Sequence, residues 1–441
     1  MKYLVFLIVT LGMPPLAIFL SHMPRWFRYV FIGIFAAMCM YQTTAINFYS
    51  YENYRGSARG IEISFIHLLA FVLIGGLYLC GKFKRWVPDW GAVLYLVYCL
   101  LCLPSLTNVA NGLYASFELW KMVLLFVFYV AVYNYLEASG DIRPLIGGLA
   151  AFAVINMGKV AFLHFSGIYQ PHGVFPHRNS MAMCMNLCGP LFLAYYLTHG
   201  LKGWWGKWMA LACVCAGVAI LRSYSRFAIA MMPIGHGMAA FCCLSNGSRL
   251  RWARRIMPVF LSGGIVLGVL APRILERFQN APESSTRTRI ELALCAWEMI
   301  KEEPWRGVGL NNWGVKINPP YEYAERAERQ TNREVDYQDG IVESVYLLVA
   351  AECGIPALVA MLAWVGWYWV ACIGMMRRLR GTRWFFIPAG LFGGMAVFHV
   401  QGCMEWVFRQ QLNIICFMAL LALLSWLHRN QRRLARMSRT A

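Results

Sequence analysis

Apolar residues recur along the chain in long blocks, each near the ~20 residues that a bilayer-spanning helix requires. They lie near 3–20, 26–41, 62–80, 90–105, 116–135, 145–166, 180–198, 204–221, 226–244, 255–271, 355–376, 385–403 and 408–427. Pro14 and Pro15 interrupt the first block, so the pattern predicts twelve or thirteen transmembrane helices. The fold class expected is an all-α polytopic membrane protein with one large extracytoplasmic helical loop.

The polar intervals carry a second pattern. Alternate short loops hold Arg25 and Arg28; Lys82, Lys84 and Arg85; Arg143; Lys202 and Lys207; Arg249 to Arg255; and Arg377 to Arg383. With the tail from Arg429 to Arg439 these make 21 of the 40 basic residues. Basic loops stay in the cytoplasm, so the C-terminus reads as cytoplasmic. The segment from Ala271 to Gly340 reads as external, with 10 Lys/Arg against 12 Asp/Glu. The organisation expected is N-terminal membrane helices over 1–270 and an external loop over 271–340. A re-entrant helix with the last spans follows over 341–428, then a basic tail over 429–441.

Composition agrees. The chain is 59% hydrophobic and 14% charged, against about a quarter charged in soluble domains. The net charge of +19 sits on the cytoplasmic rim, where it suits anionic lipid rather than nucleic acid. Most of the fifteen cysteines fall inside apolar blocks and read as packing residues. The first block has one lysine and no small-x-small site, unlike a cleaved signal. No internal repeat is visible.

Charge near lipid is costly, so polar residues at the external ends of the spans carry the information. "RSYSRF" puts Arg222 and Arg226 in a short external turn, where the basic-loop rule disfavours arginine. "YQPHGVFPHRNSMAM" is a shaped loop bearing His172, His177 and Asn179; the histidines read equally as substrate contacts or as interfacial hydrogen-bonding residues. Two histidines without further ligands do not make a metal site, and no cofactor motif is present. "YSYENYRGSARGIEIS" carries Arg55 and Arg59, which phospholipid phosphates account for. Thr286 is placed to cap a helix over 287–303, on which Arg289 shares a face with Ala293, Ala296 and Ile300. Pro304 ends that helix, and "GVGLNNWG" turns the chain back. In "DGIVESVYLLVAAECGIPAL", Gly354 and Pro356 separate a short helix over 341–352 from the next span. Glu352 reads as a capping or ion-pairing carboxylate. Glu343 reads equally as that or as a proton acceptor.

Arginines gathered on one membrane face, with no D-x-D pair for a metal–nucleotide donor, suit the oxygens of a lipid diphosphate. The motifs then resemble the bacterial O-antigen ligase and Wzy-type polymerase family over most of the chain. "GVFPHRNSMA" is similar to its Gly-x-Phe…Asn…Ala stretch, with Asn179 matching. "SYSRF" is similar to its Ser-Arg motif, with Arg226 matching. "RIELALCAWEMIKEEPWRGVGLNNW" resembles Arg…Ala…Pro-x-x-Gly-x-Gly; counting back from Pro304, Arg289 takes the motif position. "ESVYLLVAAECGIPAL" resembles His-Asn-x-Tyr-Leu…Glu-x-Gly-x-x-Gly, but with Glu343, Ser344 and Ala357 in place of histidine, asparagine and glycine.

The resemblance implies a multi-pass protein of the bacterial inner membrane whose active face is extracytoplasmic. It implies a glycan donor on undecaprenyl diphosphate, with the external segment as a lid and Arg289 and Arg226 as a clamp on the diphosphate. The acceptor implied is a sugar hydroxyl of lipid A–core or of a growing polymer. Glu343 is the expected catalytic base for metal-independent, inverting transfer. Arg222, His172, His177 and Asn179 are expected to bind substrate. A lipid-linked glycan flippase, or a non-catalytic scaffold of envelope assembly, would also need cationic contacts. The clustering on one face and the lack of paired broken helices favour transfer over transport.

Overall fold

A computed structural model describes residues 2–50, 54, 56–246, 249–279, 283–331 and 340–439. Its helices are α1 (Lys2–His22), α2 (Phe27–Cys39), α3 (Tyr41–Thr44), α4 (Phe65–Leu79), α5 (Trp90–Cys102) and α6 (Gly112–Ser139). There follow α7 (Arg143–Phe165), α8 (Arg178–His199), α9 (Gly203–Arg222), α10 (Arg226–Leu244) and α11 (Arg249–Gln279). The rest are α12 (Glu283–Glu302), α13 (Trp313–Lys316), α14 (Tyr323–Thr331), α15 (Val345–Arg378), α16 (Phe386–Gly402) and α17 (Gln411–Arg439). Between α3 and α4 a small antiparallel hairpin pairs β1 (Ile46–Ser50) with β2 (Gly60–Ile63), Ile46 opposite Ile63.

Each of the thirteen apolar blocks coincides with one of these helices. Among the described residues, nine helices are long and apolar enough to cross a bilayer. A tenth is α11, bent by 51° between Ile265 and Gly268. Helices α4 and α16 are shorter apolar helices. Helix α2, with 13 residues, reaches only about 20 Å. The chain is an all-α polytopic membrane protein. Helix α11 runs on to Gln279, beyond the apolar stretch that ends near 271, and α17 continues through the basic tail.

Helix α8 lies in the middle of the bundle. Its residues from Ser180 to Ala194 are all buried, as expected of a helix that is apolar on every side. It packs against α9, α10 and α16. Small residues permit the approach: a Cβ at Gly390 or Gly394 would strike the backbone of α8 at Leu191 or Leu187, and one at Gly393 would strike Gly235 of α10. This fixes three helix ends side by side, the starts of α8 and α10 and the end of α16.

The segment over 283–331 folds on a core of its own, with Leu292, Cys295, Ala296, Met299, Trp313, Tyr323 and Ala327 buried against Val342, Leu348 and Ala351. It is joined to the bundle through a break in α15. Gly354 has φ +82°, outside the helical range, so the α15 backbone opens there. The loop after α12 fills the opening: Val308 N–H donates to the Ala351 carbonyl (2.9 Å), Gly309 N–H to the Glu352 carbonyl (3.0 Å), and Ile355 N–H to the Pro304 carbonyl (2.8 Å). The Gly354 and Pro356 interruption read from the sequence is therefore a docking slot.

A side chain at Gly354 has no room. A Cβ there would collide with the Trp305 carbonyl, on a backbone conformation that L residues avoid. Gly354→Ala should lower stability by at least about 1–3 kcal/mol, read as a reduced thermal midpoint of the detergent-solubilised chain. An unchanged midpoint would show that the slot is not rigid.

Candidate functional site

Arg289 stands on the second turn of α12, and Glu343 in the short connection before α15. The guanidinium Nε of Arg289 donates to Glu343 Oε2, and its second amino nitrogen lies 3.8 Å from Glu405 Oε1. Glu405 belongs to the loop between α16 and α17. The Asn179 side-chain amide, at the start of α8, donates to the same Glu405 oxygen. Four segments distant in sequence thus meet at one end of the bundle. Arg289 and Glu343 are about one-third exposed (32% and 37%), whereas the Glu405 side chain is 11% exposed.

The local structure aims these groups. His177 is the N-cap of α8 and its Nδ1 accepts the Asn179 backbone N–H (3.3 Å). Burial, with Arg178 and His172 nearby, pushes the His177 pKa below its ordinary value, which keeps the ring neutral as that cap requires. Glu405 is pushed up to about 7, chiefly by burial and then by the adjacent charge of Glu343, against the opposing pull of Arg289, Asn179 and Arg178. The site therefore holds one solvated ion pair and one shielded carboxylate that titrates near neutrality.

Beneath it lies a fully buried charge network. Arg409, just before α17, donates through its terminal guanidinium nitrogen to Glu352 Oε2, and its Nε lies 3.9 Å from Glu118 of α6. Lys121 Nζ bridges Glu118 Oε2 (3.0 Å) and the Arg409 carbonyl (2.7 Å). Glu352 also accepts the Trp313 N–H (3.2 Å), and Glu118 the Ser57 hydroxyl (3.0 Å). Asn311 joins the hairpin connection to the loop after α12: its side-chain amide donates to the Ala58 and Tyr114 carbonyls (2.8 and 2.7 Å), and its backbone carbonyl accepts from the Tyr54 hydroxyl. Glu352 is the ion-pairing carboxylate expected of it.

The structure brings Arg289, Glu343 and Asn179 together. Helix α12 begins at Glu283, so Thr286 stands inside it instead of capping it. Arg226 is the first residue of α10, half-buried. The backbone nearby is pinned where Asn186 Nδ2 donates to the Ala228 carbonyl (2.9 Å) and to Gln401 Oε1 (3.2 Å). Asn186 lies seven residues along α8 from Asn179, about 10 Å. Arg226 thus stands at the same end of the bundle, and among the described residues it makes no side-chain ion pair with Arg289, Glu343 or Glu405. Arg222 ends α9 beside His164 and Arg273, in a separate basic group. His172 turns back on its own loop and bonds the Phe175 carbonyl. Arg55 lies outside the described residues. Among the described residues no cluster of three or more His, Cys, Asp or Glu side chains is placed to hold a metal ion.

Glu405, Arg409, Glu118 and Lys121 were missed by sequence reasoning. A signal existed for Arg409, Glu118 and Lys121, which are charges inside apolar blocks. Glu405 sits in a connection too short to draw notice.

The fold and these groups define a polytopic membrane protein with an arginine–carboxylate site gathered at one end of its helix bundle. Residues 211–362 match the family model described as O-antigen ligase. The matched stretch contains Arg226, Arg289, Glu343 and Glu352; Asn179 and Glu405 meet it from either side. No curated protein matches the chain.

Two outcomes follow from the electrostatics. Arg409→Met should cost about 3–5 kcal/mol, because it strands buried carboxylates, and adding Glu352→Gln should restore part of that in thermal unfolding. For Glu405, the folded pKa of about 7 lies above the ordinary 4.5. Its contribution is complete below about 4.5 and is lost as pH rises through about 7. Glu405→Gln should therefore raise the thermal midpoint relative to wild type at pH 8, with the gap closing by pH 5.

Proposed function

We propose that this chain is a membrane glycosyltransferase that moves an oligo- or polysaccharide from undecaprenyl diphosphate to an acceptor sugar hydroxyl at the outer face of the inner membrane. The observation that carries this reading is the state of Arg289: a part-exposed guanidinium, inside the stretch that matches the O-antigen ligase model, balanced by carboxylates that a phosphate can replace. Arginine's planar fork suits two phosphate oxygens at once. Arg226 supplies a second cation from the start of α10.

Bond cleavage at the anomeric carbon leaves charge on the diphosphate. Guanidinium groups already in position stabilise that charge more in the transition state than in the ground state, which is the condition for rate acceleration. The departing diphosphate then needs little help from a general acid. The remaining task is to aim the acceptor hydroxyl and take its proton, and Glu343 with Glu405 supplies the carboxylates. In-line attack inverts the anomeric configuration. The acceptor is lipid A–core for a ligase, or another repeat unit for a polymerase.

Arg289→Ala and Arg226→Ala should each reduce glycan transfer by about 10²-fold or more at normal protein level, assayed in membranes; full activity in both would remove the clamp. Glu343→Gln should lower turnover more than donor binding. Deletion followed by gel analysis of surface glycan separates the acceptors: loss of the whole lipid A-linked ladder marks a ligase, and a single repeat in its place a polymerase.

A further inference from the structure

We infer that Glu405 is the group that takes the acceptor's proton. The inference rests on the glycosyl-transfer reading above.

Two carboxylates share Arg289, and they are not equivalent. Glu343 is more than a third exposed and is committed to the guanidinium Nε. Glu405 is nearly buried, lies 3.8 Å from the guanidinium, and is held by the Asn179 amide through Oε1. Its Oε2 makes no hydrogen bond among the described residues. The groups facing it are Asn179 and Arg178 from α8, Arg289 from α12 and Glu343 from the connection before α15. Its loop is anchored four residues on, where Arg409 is fixed by Glu352, Glu118 and Lys121. A proton acceptor must be well placed, and its proton affinity must match neutral conditions. Glu405 meets both requirements, whereas Glu343 is already committed to the Arg289 guanidinium.

In the free chain Arg289 holds down the proton affinity of Glu405 against burial and Glu343. In the transfer step the acceptor oxygen forms a bond to the anomeric carbon while the bond from that carbon to the diphosphate oxygen breaks. The electron pair leaves on the diphosphate, which the arginines hold. The hydroxyl proton passes to Glu405 Oε2 and is later lost to water.

The test uses the full chain in proteoliposomes, with lipid-linked glycan as donor for transfer and undecaprenyl diphosphate as the binding probe. The wild-type rate at saturating donor should fall about tenfold per pH unit on the acid side of the Glu405 titration. Glu405→Gln should lower kcat by about 10²-fold or more and abolish that limb, while probe affinity stays within about threefold. Glu405→Asp should keep the limb at a reduced rate, which separates proton transfer from a structural defect. If Glu405→Gln keeps kcat within about threefold, or keeps the limb, the assignment fails while the donor reading stands. If the wild-type chain does not bind undecaprenyl diphosphate, the donor reading fails and takes this assignment with it.

Discussion

The architecture depends on one buried guanidinium. Arg409 is 5% exposed, between a Glu352 that is 1% exposed and a Glu118 that is 5% exposed. Desolvating such charges is expensive, and the cost is offset only when the geometry and the remaining hydrogen bonds are complete. Here Lys121, Ser57 and the Trp313 amide take up positions around the same groups, and Arg409 Nη2 alone of the guanidinium's amino groups is left without a hydrogen bond among the described residues. The partners come from five parts of the chain: α6, the hairpin connection, the loop after α12, α15 and the α16–α17 loop. A network that tolerates no missing member holds five segments in register. A hydrophobic contact of the same size would let them slide.

Register matters because the site above is assembled from the same segments. Glu343 leads into α15, and Glu405 precedes Arg409 by one turn of backbone. The packing of α8 on α16 brings Asn179 to Glu405. Only Arg289 arrives on a separate unit, and that unit is tied to α15 by hydrogen bonds at the Gly354 break. The site is thus built on rigid supports, with its solvated pair toward the outside and its shielded carboxylate against the helix ends. Burial on that side raises the proton affinity of Glu405.

Much of this was legible from local rules. Block length and polarity located the thirteen apolar helices, but not their reach: among the described residues nine, or ten with the bent α11, are long enough to cross a bilayer, against the twelve or thirteen spans expected. The interruption at Gly354 and Pro356 was visible, while the choice of Arg289 over Arg287 came from the resemblance to the family motif. Arg287 indeed pairs within its own helix, with Glu291 at 2.7 Å. Helix ends were less legible. Helix α11 outruns its apolar stretch because backbone hydrogen bonding continues where lipid stops, and α12 starts three residues before Thr286. The least legible features were the pairings Arg289–Glu343, Asn179–Glu405 and Glu352–Arg409. They join residues far apart in the chain, and no periodicity or capping rule encodes such partners. Glu118 and Lys121 carried a local signal, an ion pair inside an apolar helix, but its meaning lay in Arg409.

The slot at Gly354 has a mechanical consequence. Its three hydrogen bonds run from backbone to backbone, on both sides of the break. The middle of the 283–331 segment is therefore riveted to a membrane helix, and the segment cannot lift away as one hinged plate. Any relative movement of α12 and α14 therefore turns about a fixed point.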